Sequence, residues 1–276
     1  MKLDLTGRTA LITGASAGIG AGIARAFAEA GARVVVVARS VGPLQQLAES
    51  IGPAALAIPG DVTESGTADR VVREAAHHTG KIDVLVNNAA FNVGLGPLFA
   101  VTPDDAERMY RMNVLAPQQW AKAVWDAGMG DSGGVILNIS SVAGQRGGAL
   151  TGTYAITKAA LDRLTTQLAW ELAPQVRVVG ISPGVIETEL SGNLATRLAD
   201  AGQAAPLGRA GTIDDVATLA LFLATDAAAW ITGTTVLADG GELAVPLGVG
   251  MPSRIPKRPG PPSLDLQSTC PIEERE

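Results

Sequence analysis

The sequence of 276 residues contains a single cysteine, Cys270, which excludes an intramolecular disulfide and a cysteine-based metal cluster. Histidine is almost as scarce, with only His77 and His78 present. Adjacent positions on a helix point about 100° apart, so these two imidazoles would make a poor chelating pair. The sequence therefore predicts no metal site.

Basic residues are also few: the chain has 21 of them against 27 acidic residues, and its formal net charge is -6. Nucleic acids and anionic membranes both favour basic surfaces, so we expect neither as a partner. No stretch approaches the roughly 20 apolar residues that cross a bilayer. No apolar signal region follows Met1 either, and we expect a cytoplasmic protein.

Aromatic residues make up only 4% of the chain against 47% apolar residues, so the core must be built from Ala, Val, Ile and Leu. This composition is typical of a parallel sheet covered on both faces by alanine-rich helices. Short runs rich in Val and Ile predict strands at 8–13, 33–38, 55–58, 82–86, 134–139, 176–181 and 235–238. Helical patterns alternate with them at 19–30, 43–50, 65–79, 103–127, 152–173 and 213–224.

The alternation of strands and helices predicts an α/β fold, a Rossmann-type doubly wound parallel sheet of about seven strands in a single domain. Gly31, Gly80 and Gly128 follow helical patterns and are expected to be left-handed C-caps. We assign residues 1–243 to this domain. The remaining segment, 244–276, shows no periodicity and contains seven prolines, so we expect an irregular C-terminal extension.

A glycine-rich turn follows the first predicted strand and leads directly into a helix. It contains Gly14, Gly18 and Gly20, with Ser16 and Ile19 between them. Glycines in such a turn let the backbone approach a pyrophosphate, and the free N–H groups of the helix N-terminus attract the anion. All five residues are therefore candidates for binding a dinucleotide.

The residues at the end of the second strand indicate whether NAD(H) or NADP(H) is the preferred dinucleotide. An acidic residue there would accept hydrogen bonds from ribose hydroxyls, but this chain has Ala38 followed by Arg39 and Ser40. The Arg39 guanidinium suits a phosphate, so we expect NADP(H) as the cofactor, with NAD(H) less favoured. Asp61 follows the third strand beside Val62 and is a candidate for adenine recognition, or alternatively the N-cap of the next helix.

Tyr154 and Lys158 are spaced i, i+4 and lie on one face of a predicted helix. A nearby ammonium favours the phenolate, so we expect Lys158 to lower the pKa of Tyr154 and to make it a usable acid or base. Ser141 ends the fifth strand, where ligands bind in such sheets, and lies thirteen residues before Tyr154. Asn113 lies inside a helix, where an amide is unfavourable unless it has a function.

The chain resembles the short-chain dehydrogenase/reductase family over about residues 5–241. The matching elements are Thr13-Gly14-x3-Gly18-x-Gly20, Asn87-Asn88-Ala89, Asn113, Ser141, Tyr154-x3-Lys158, Pro183-Gly184 and Asp239-Gly240-Gly241. The resemblance implies that Tyr154 is the general acid/base and that Ser141 hydrogen-bonds the substrate oxygen. It implies further that Lys158 holds the nicotinamide ribose and that Asn113 anchors a water in a proton relay.

The same resemblance implies cofactor contacts at Asn87, Ala89, Pro183 and Gly184, and places Ile186 and Thr188 against the nicotinamide carboxamide. It also implies a homodimer or homotetramer, for which the predicted helices 103–127 and 152–173 would supply the interface.

The substrate should be selected by the loops 91–99, 142–153 and 187–207, beyond the strand ends. Their apolar residues favour a moderately apolar carbonyl compound over a sugar phosphate; these residues are Phe91, Leu95, Leu98, Leu150, Leu190 and Leu194. The sequence thus predicts an NADPH-dependent carbonyl reductase or alcohol dehydrogenase. Two alternatives remain: a 3-oxoacyl-[acyl-carrier-protein] reductase and a non-catalytic NADP(H) sensor or scaffold.

Overall fold

A computed structural model of the protein describes residues 3–93, 97–147, 151–188 and 205–244. Seven parallel strands form one sheet in the spatial order β3-β2-β1-β4-β5-β6-β7. In chain order these are β1 (Thr9–Thr13), β2 (Arg33–Ala38), β3 (Ala55–Pro59), β4 (Val84–Asn87), β5 (Gly134–Ile139), β6 (Val176–Pro183) and β7 (Thr235–Ala238). The predicted fold class is confirmed, and the order of the strands reverses between β1 and β4, where a ligand crevice opens in such sheets.

Helices cover both faces of the sheet. They are α1 (Gly18–Glu29), α2 (Val41–Ile51), α3 (Thr67–Thr79), α4 (Pro103–Tyr110), α5 (Ala116–Val124), α6 (Gly152–Glu171) and α7 (Ile213–Ala224). The buried residues fall into two clusters, one for each face. Helices α1, α2 and α7 contribute to the first cluster, whereas α3, α5 and α6 contribute to the second. Val, Ile, Leu and Ala dominate both clusters, as the composition predicted.

Most predicted elements lie within one to three residues of the observed ones, and their ends differ for local reasons. Helix α3 begins at Thr67 and not at 65, because Gly66 precedes it with a left-handed backbone (φ 76°). Strand β4 begins at Val84, since the buried Asp83 accepts the Thr9 backbone N–H through its carboxylate at 2.8 Å. Gly31, Gly80 and Gly128 all have positive φ. Gly31 and Gly80 follow the ends of α1 and α3 as predicted, whereas Gly128 lies four residues beyond Val124, where the predicted helix end was wrong.

The predicted helix 103–127 is the clearest departure. It divides into α4 and α5, joined by a π-helical turn at Arg111–Leu115, and a second π-helical stretch follows at Trp125–Met129. A π-helical turn adds one residue to the usual turn and often marks a functional site. Asn113 lies in the first of these turns.

Residues 245–276 lie outside the described part of the chain, and so does nearly all of the predicted C-terminal extension. Among the described residues, no helix is both long and apolar enough to cross a membrane.

Candidate functional site

The glycine-rich turn lies at the carboxyl edge of the sheet, against the loop that follows β4. A Cβ atom on Gly14 would lie 2.7 Å from Cα of Ala89, and one on Gly20 would lie 2.4 Å from Nδ2 of Asn88. Gly14 and Gly18 also have positive φ, at 65° and 57°. Any larger residue at Gly14 or Gly20 would separate the two loops, so the glycines shape the crevice between β1 and β4.

Asn88 fixes this turn and was missed as a site residue by the sequence analysis. Its Nδ2 donates hydrogen bonds to the carbonyls of Thr13 and Gly14, both at 3.0 Å. Its backbone N–H donates to the Thr13 hydroxyl at 3.0 Å, and the Ala89 N–H donates to the same oxygen at 3.2 Å. Asn88 therefore holds the glycine turn and the β4 loop in one arrangement.

The side chain of Asn87, which the resemblance assigned to the cofactor, points into the protein. It donates to Oδ1 of Asn138 at 2.9 Å, and Asn138 donates to the Thr165 hydroxyl at 2.9 Å. This buried chain of amides joins β4, β5 and α6. Alternation along β4 contained the signal, because it places Asn87 on the same face as the buried Leu85.

The amino end of α1 is suited to an anion. The helix begins at Gly18, its N-cap is Ala17, which makes no side-chain cap, and its first turn contains no acidic residue. Ser16 and Ile19 are both partly buried beside this end. The first N–H groups of an uncapped helix end attract negative charge, so this turn fits the pyrophosphate of a dinucleotide.

Arg39 extends from the end of β2 and is 68% exposed in its side chain. Its Nη1 lies 3.8 Å from Oδ2 of Asp61. Burial tends to raise the pKa of Asp61, but hydrogen bonds from Thr63 and the charge of Arg39 hold it below its usual value. Ser40 is exposed next to Arg39, so an accessible hydroxyl and a guanidinium lie together at the carboxyl end of β2.

The alternative role of Asp61 as a helix N-cap is not observed, because Gly66 holds that position and Asp61 instead accepts hydrogen bonds from Thr63. Val62 is buried, and its carbonyl accepts a hydrogen bond from Nε1 of Trp120 at 3.4 Å. The Asp61 side chain is therefore held against its own turn and stays partly exposed beside Arg39.

Tyr154, Ser141 and Lys158 come together where β5 ends and α6 begins. A hydrogen bond links the side chains of Ser141 and Tyr154. Nζ of Lys158 lies 5.7 Å from the centre of the Tyr154 ring and donates to the carbonyl of Ile139 at 2.8 Å. The i, i+4 spacing and the strand-end position of Ser141 thus bring all three side chains into one cluster.

Burial dominates the electrostatics of this cluster. Lys158 is only 2% exposed, and burial lowers its pKa to about 8, against a smaller opposing effect of Asp162. Burial raises the pKa of Tyr154, and the hydrogen bond with Ser141 opposes that rise. The sequence led us to expect a lowered Tyr154 pKa, but removal of water from the phenol has the larger effect in the protein without cofactor.

Asn113 is fully buried in the π-helical turn, and its amide has three partners. Its Oδ1 accepts from the Phe91 N–H at 2.8 Å, while its Nδ2 donates to the Phe91 carbonyl and to the Thr157 hydroxyl, both at 2.9 Å. The side chain therefore connects the β4 loop to α6, one residue before Lys158. Thr157 was not among the predicted site residues.

The segment after β6 forms the opposite wall of the crevice. Pro183 ends β6, and a Cβ atom on Gly184 would lie 2.8 Å from Oε2 of Glu242 and 3.0 Å from Cα of Asp239. A methyl group of Thr188 lies 3.8 Å from where a Cβ atom of Gly18 would be. Thr188 therefore lies beside the glycine turn.

The Ile186 side chain does not face the crevice. It is buried in the first core cluster, and its backbone pairs with Gly211 as a short parallel bridge. Any contact with a nicotinamide would therefore have to come from its main chain.

A charged pair that the sequence did not predict links the loop after β5 to the segment after β7. Arg146, in the loop after β5, donates hydrogen bonds to the carboxylate and to the carbonyl of Glu242. Both side chains are mostly buried. Leu95, Leu150, Leu190 and Leu194, predicted to line the substrate site, lie outside the described residues.

A parallel doubly wound sheet with a glycine crevice at its switch point, and Ser, Tyr and Lys beside it, defines a dinucleotide-dependent oxidoreductase. A family model described as enoyl-(acyl carrier protein) reductase matches residues 14–242. The chain belongs to the short-chain dehydrogenase/reductase family, whose members use NAD(P) cofactors and act on small molecules.

Characterised relatives align over almost their entire lengths. Sorbitol dehydrogenase of Cereibacter sphaeroides is 39% identical, covering 88% of this chain and 99% of the relative. Galactitol 2-dehydrogenase of Agrobacterium fabrum is 36% identical (87% and 99%), and L-xylulose reductase of Bos taurus is 38% identical (88% and 100%). The crystal structure of a short-chain type dehydrogenase/reductase from Mycobacterium marinum superposes with a TM-score of 0.83 at 37% identity, covering 88% and 98% of the two chains. These relatives establish an oxidoreductase acting on CH–OH groups.

The buried Lys158 leads to a prediction about stability. An unfolded lysine stays protonated to about pH 10.4, whereas the folded one loses its proton at about pH 8. Below pH 8 the fold therefore carries an unfavourable buried ammonium, and this penalty disappears as the pH rises from about 8 to 10.4. We expect Lys158→Met to raise the free energy of unfolding by about 1–3 kcal/mol at pH 7, and by less at pH 10.

Urea denaturation of the cofactor-free protein at the two pH values measures this difference. The matched control is Lys122→Met, because Lys122 is exposed on α5 and should give no such gain. A Lys158→Met variant less stable than the parent at pH 7 would show that its contacts outweigh the penalty of burial.

Proposed function

We propose that this protein is an NADP(H)-dependent carbonyl reductase or alcohol dehydrogenase in which Tyr154 is the general acid/base. The observation that carries the proposal is the cluster of Ser141, Tyr154 and Lys158 beside the glycine crevice. When bound, the nicotinamide supplies hydride to a carbonyl carbon or accepts it from an alcohol. The protein then has to exchange one proton with the substrate oxygen.

The raised pKa of Tyr154 suits the direction of reduction. Because burial keeps the phenol protonated, it is ready to donate its proton to the oxygen of a carbonyl that is receiving hydride. Ser141, hydrogen-bonded to the same phenol, would hold that oxygen in place. The ammonium of Lys158, 5.7 Å from the ring, would stabilise the phenolate that remains. In oxidation the same groups act in reverse.

Asn113 and Lys158 would complete the site. Lys158 would also hold the nicotinamide ribose, as the family resemblance implies. The Asn113 side chain is already engaged with Phe91 and Thr157, so a relay water would have to bind to the Asn113 backbone. Pro183, Gly184 and Thr188 would contact the nicotinamide from the β6 side.

Two observations bear on the substrate. Phe91 and Leu98, in the segment after β4, were predicted from the sequence to favour an apolar carbonyl compound. The named relatives instead act on sorbitol, galactitol and L-xylulose, which carry several hydroxyl groups. We therefore propose a ketone or secondary alcohol as the substrate, with hydroxylated compounds tested beside apolar ones.

The alternative of a 3-oxoacyl-[acyl-carrier-protein] reductase is disfavoured by the charges on and next to α4. An acidic carrier protein docks on unpaired basic residues. Arg108 lies over the Phe91 ring at 4.6 Å and pairs with Asp105, while Arg111 pairs with Glu107. These acidic partners reduce the attraction. A sensor or scaffold without catalysis has no need of the buried Tyr154–Lys158 pair, whose burial costs stability.

The test of the mechanism is Tyr154→Phe. Loss of the phenol removes the proton donor, so we expect kcat/KM to fall by about 10²- to 10⁴-fold while NADPH affinity stays almost unchanged. Consumption of NADPH with ketones, ketoses and 3-oxoacyl thioesters measures kcat/KM. Fluorescence titration measures the affinity for NADPH. Tyr110→Phe, which changes the other tyrosine of the chain, is the control. If most activity survives in Tyr154→Phe, another group is the acid.

The test of the cofactor preference is Arg39→Asp. Replacing the guanidinium by a carboxylate removes charge-assisted hydrogen bonds to a 2′-phosphate and adds repulsion. The ratio of kcat/KM for NADPH over NADH should fall by about 10- to 100-fold. Arg33→Asp, at the opposite end of β2, removes an arginine far from the crevice and should leave the ratio unchanged. An unchanged ratio in Arg39→Asp would mean that Arg39 does not bind the phosphate.

We further propose a cytoplasmic homodimer or homotetramer that buries the outer face of α4, α5 and α6, since members of this family are commonly oligomeric. This face exposes Tyr110 and Ile156 to 46% and 56%, with Leu115 beside them in the π-helical turn. Exposed apolar groups on a shared face are typical of a surface that another subunit covers.

Charge on that face should oppose assembly. We expect Tyr110→Glu to shift the protein towards monomer in sedimentation velocity, while Val41→Glu, an exposed apolar position on α2, leaves the distribution unchanged. A Tyr110→Glu variant that sediments like the parent would place the interface elsewhere.

A further inference from the structure

Asp162 lies on α6 one helical turn beyond Lys158 and two turns beyond Tyr154, so the three side chains share one face of the helix. Its carboxylate accepts a hydrogen bond from the Thr235 hydroxyl on β7 at 3.1 Å. The side chain of Ser140, directly after β5, also interacts with this carboxylate, and its hydroxyl donates a hydrogen bond to the Lys158 carbonyl at 3.4 Å. One acidic side chain thus links α6 to two strands directly beneath the catalytic cluster.

The loop that carries Ser141 closes over this carboxylate. A Cβ atom on Gly144 would lie 3.1 Å from Oδ2 of Asp162 and 2.7 Å from the carbonyl carbon of Lys158. The close approach leaves no space for a side chain at this position. Asp162 therefore packs between β7, the segment after β5 and its own helix, and its side chain is only partly exposed.

The groups facing Lys158 are mostly neutral. Its ammonium donates to the Ile139 carbonyl on β5 and approaches the Tyr154 ring on its own helix. Ser140 on β5 and Thr235 on β7 contribute hydroxyls next to Asp162. Within the described parts of the chain, the Asp162 carboxylate is the one charged group that shifts the pKa of Lys158, and it raises it. Lys158 in turn lowers the pKa of Asp162, against the larger effect of burial.

We propose that Asp162 is a positioning residue of the reaction, whose negative charge keeps Lys158 in its ammonium form beneath Tyr154 while its hydrogen bonds fix α6 against β5 and β7. The catalytic part of this inference rests on the function proposed above. A lysine with most of its hydration removed holds its proton less tightly, and a nearby carboxylate increases the fraction that stays charged at neutral pH. Without that carboxylate, more of Lys158 would be neutral and unable to stabilise the phenolate of Tyr154.

Two substitutions separate the charge of Asp162 from its hydrogen bonds. Asp162→Asn keeps the shape and an oxygen that can accept from Thr235, but removes the charge. Thr235→Val keeps the charge and removes one hydrogen bond. Glu171→Gln is the control, because it removes a negative charge from the same helix about 20 Å from Lys158. If the charge is what matters, only Asp162→Asn should alter the titration of Lys158.

The direct measurement is the pH titration of the lysine side chains by NMR in protein labelled with 13Cε-lysine. The chain contains five lysines, so few signals overlap, and Lys158→Met identifies the signal of Lys158 by its disappearance. We expect Asp162→Asn to lower the titration midpoint of Lys158 by about one pH unit. Thr235→Val and Glu171→Gln should leave it unchanged. An unchanged midpoint in Asp162→Asn, or an equal shift in Thr235→Val, would overturn the proposal.

The catalytic consequence is read from the pH profile of kcat/KM for carbonyl reduction. Removing a negative charge lowers the pKa of the Tyr154–Lys158 pair whichever proton leaves first. The alkaline decline in activity should therefore move to lower pH in Asp162→Asn and stay in place in the two other variants. A shifted NMR midpoint with an unshifted profile would reject the catalytic role of Lys158, whereas an unshifted midpoint rejects the role of Asp162 itself.

Discussion

The ammonium of Lys158 has lost almost all of its water, and the surrounding structure is arranged to replace it. The Ile139 carbonyl accepts a hydrogen bond from the ammonium, and the charge of the Asp162 carboxylate favours its protonated form. Thr157, the preceding residue, is also buried and is bound by Asn113. These partners come from β5, from the π-helical turn and from α6 itself, so the face of α6 that carries Tyr154 and Lys158 is held by polar contacts within an otherwise apolar core. Such a network fixes geometry firmly, because each unsatisfied member would be unfavourable in so dry a place.

The sequence predicted the fold well because the signals of a parallel sheet are local. Valine-rich runs of four to six residues, helical periods between them and glycines at helix ends each indicate an element without reference to the rest of the chain. The ends of elements depended on tertiary contacts. Strand β4 starts late because the Asp83 carboxylate takes the place of a backbone partner. The π-helical turn around Asn113 spans only five residues. That is too short for the sequence pattern to distinguish it from an ordinary α-helix.

Residues of the candidate site were predicted where the chemistry of the side chain and its position in a predicted strand or helix indicated the same role. Tyr154 and Lys158 are one helical turn apart, and Ser141 follows a strand, so their meeting required only the general geometry of the fold. Asn88, Asp162 and Glu242 were not predicted as site residues, because their hydrogen bonds join them to residues distant in sequence. The direction of the Tyr154 pKa was misjudged for a related reason. A charged neighbour is visible in a sequence, whereas the loss of water around a phenol becomes visible only once the chain is folded.

The π-helical turn at Arg111–Leu115 also limits how this segment can change in length. Each residue added to or removed from a helix rotates everything beyond it by about 100° relative to what precedes it. The extra residue here sets the rotation between α4 and α5, which keeps Met109 and Trp120 buried on the two sides of the turn. Deleting it would turn one of these faces towards solvent and carry Asn113 away from Thr157. Insertions and deletions are usually tolerated at loops and helix ends, but this helix interior is a point at which the residue count itself is constrained.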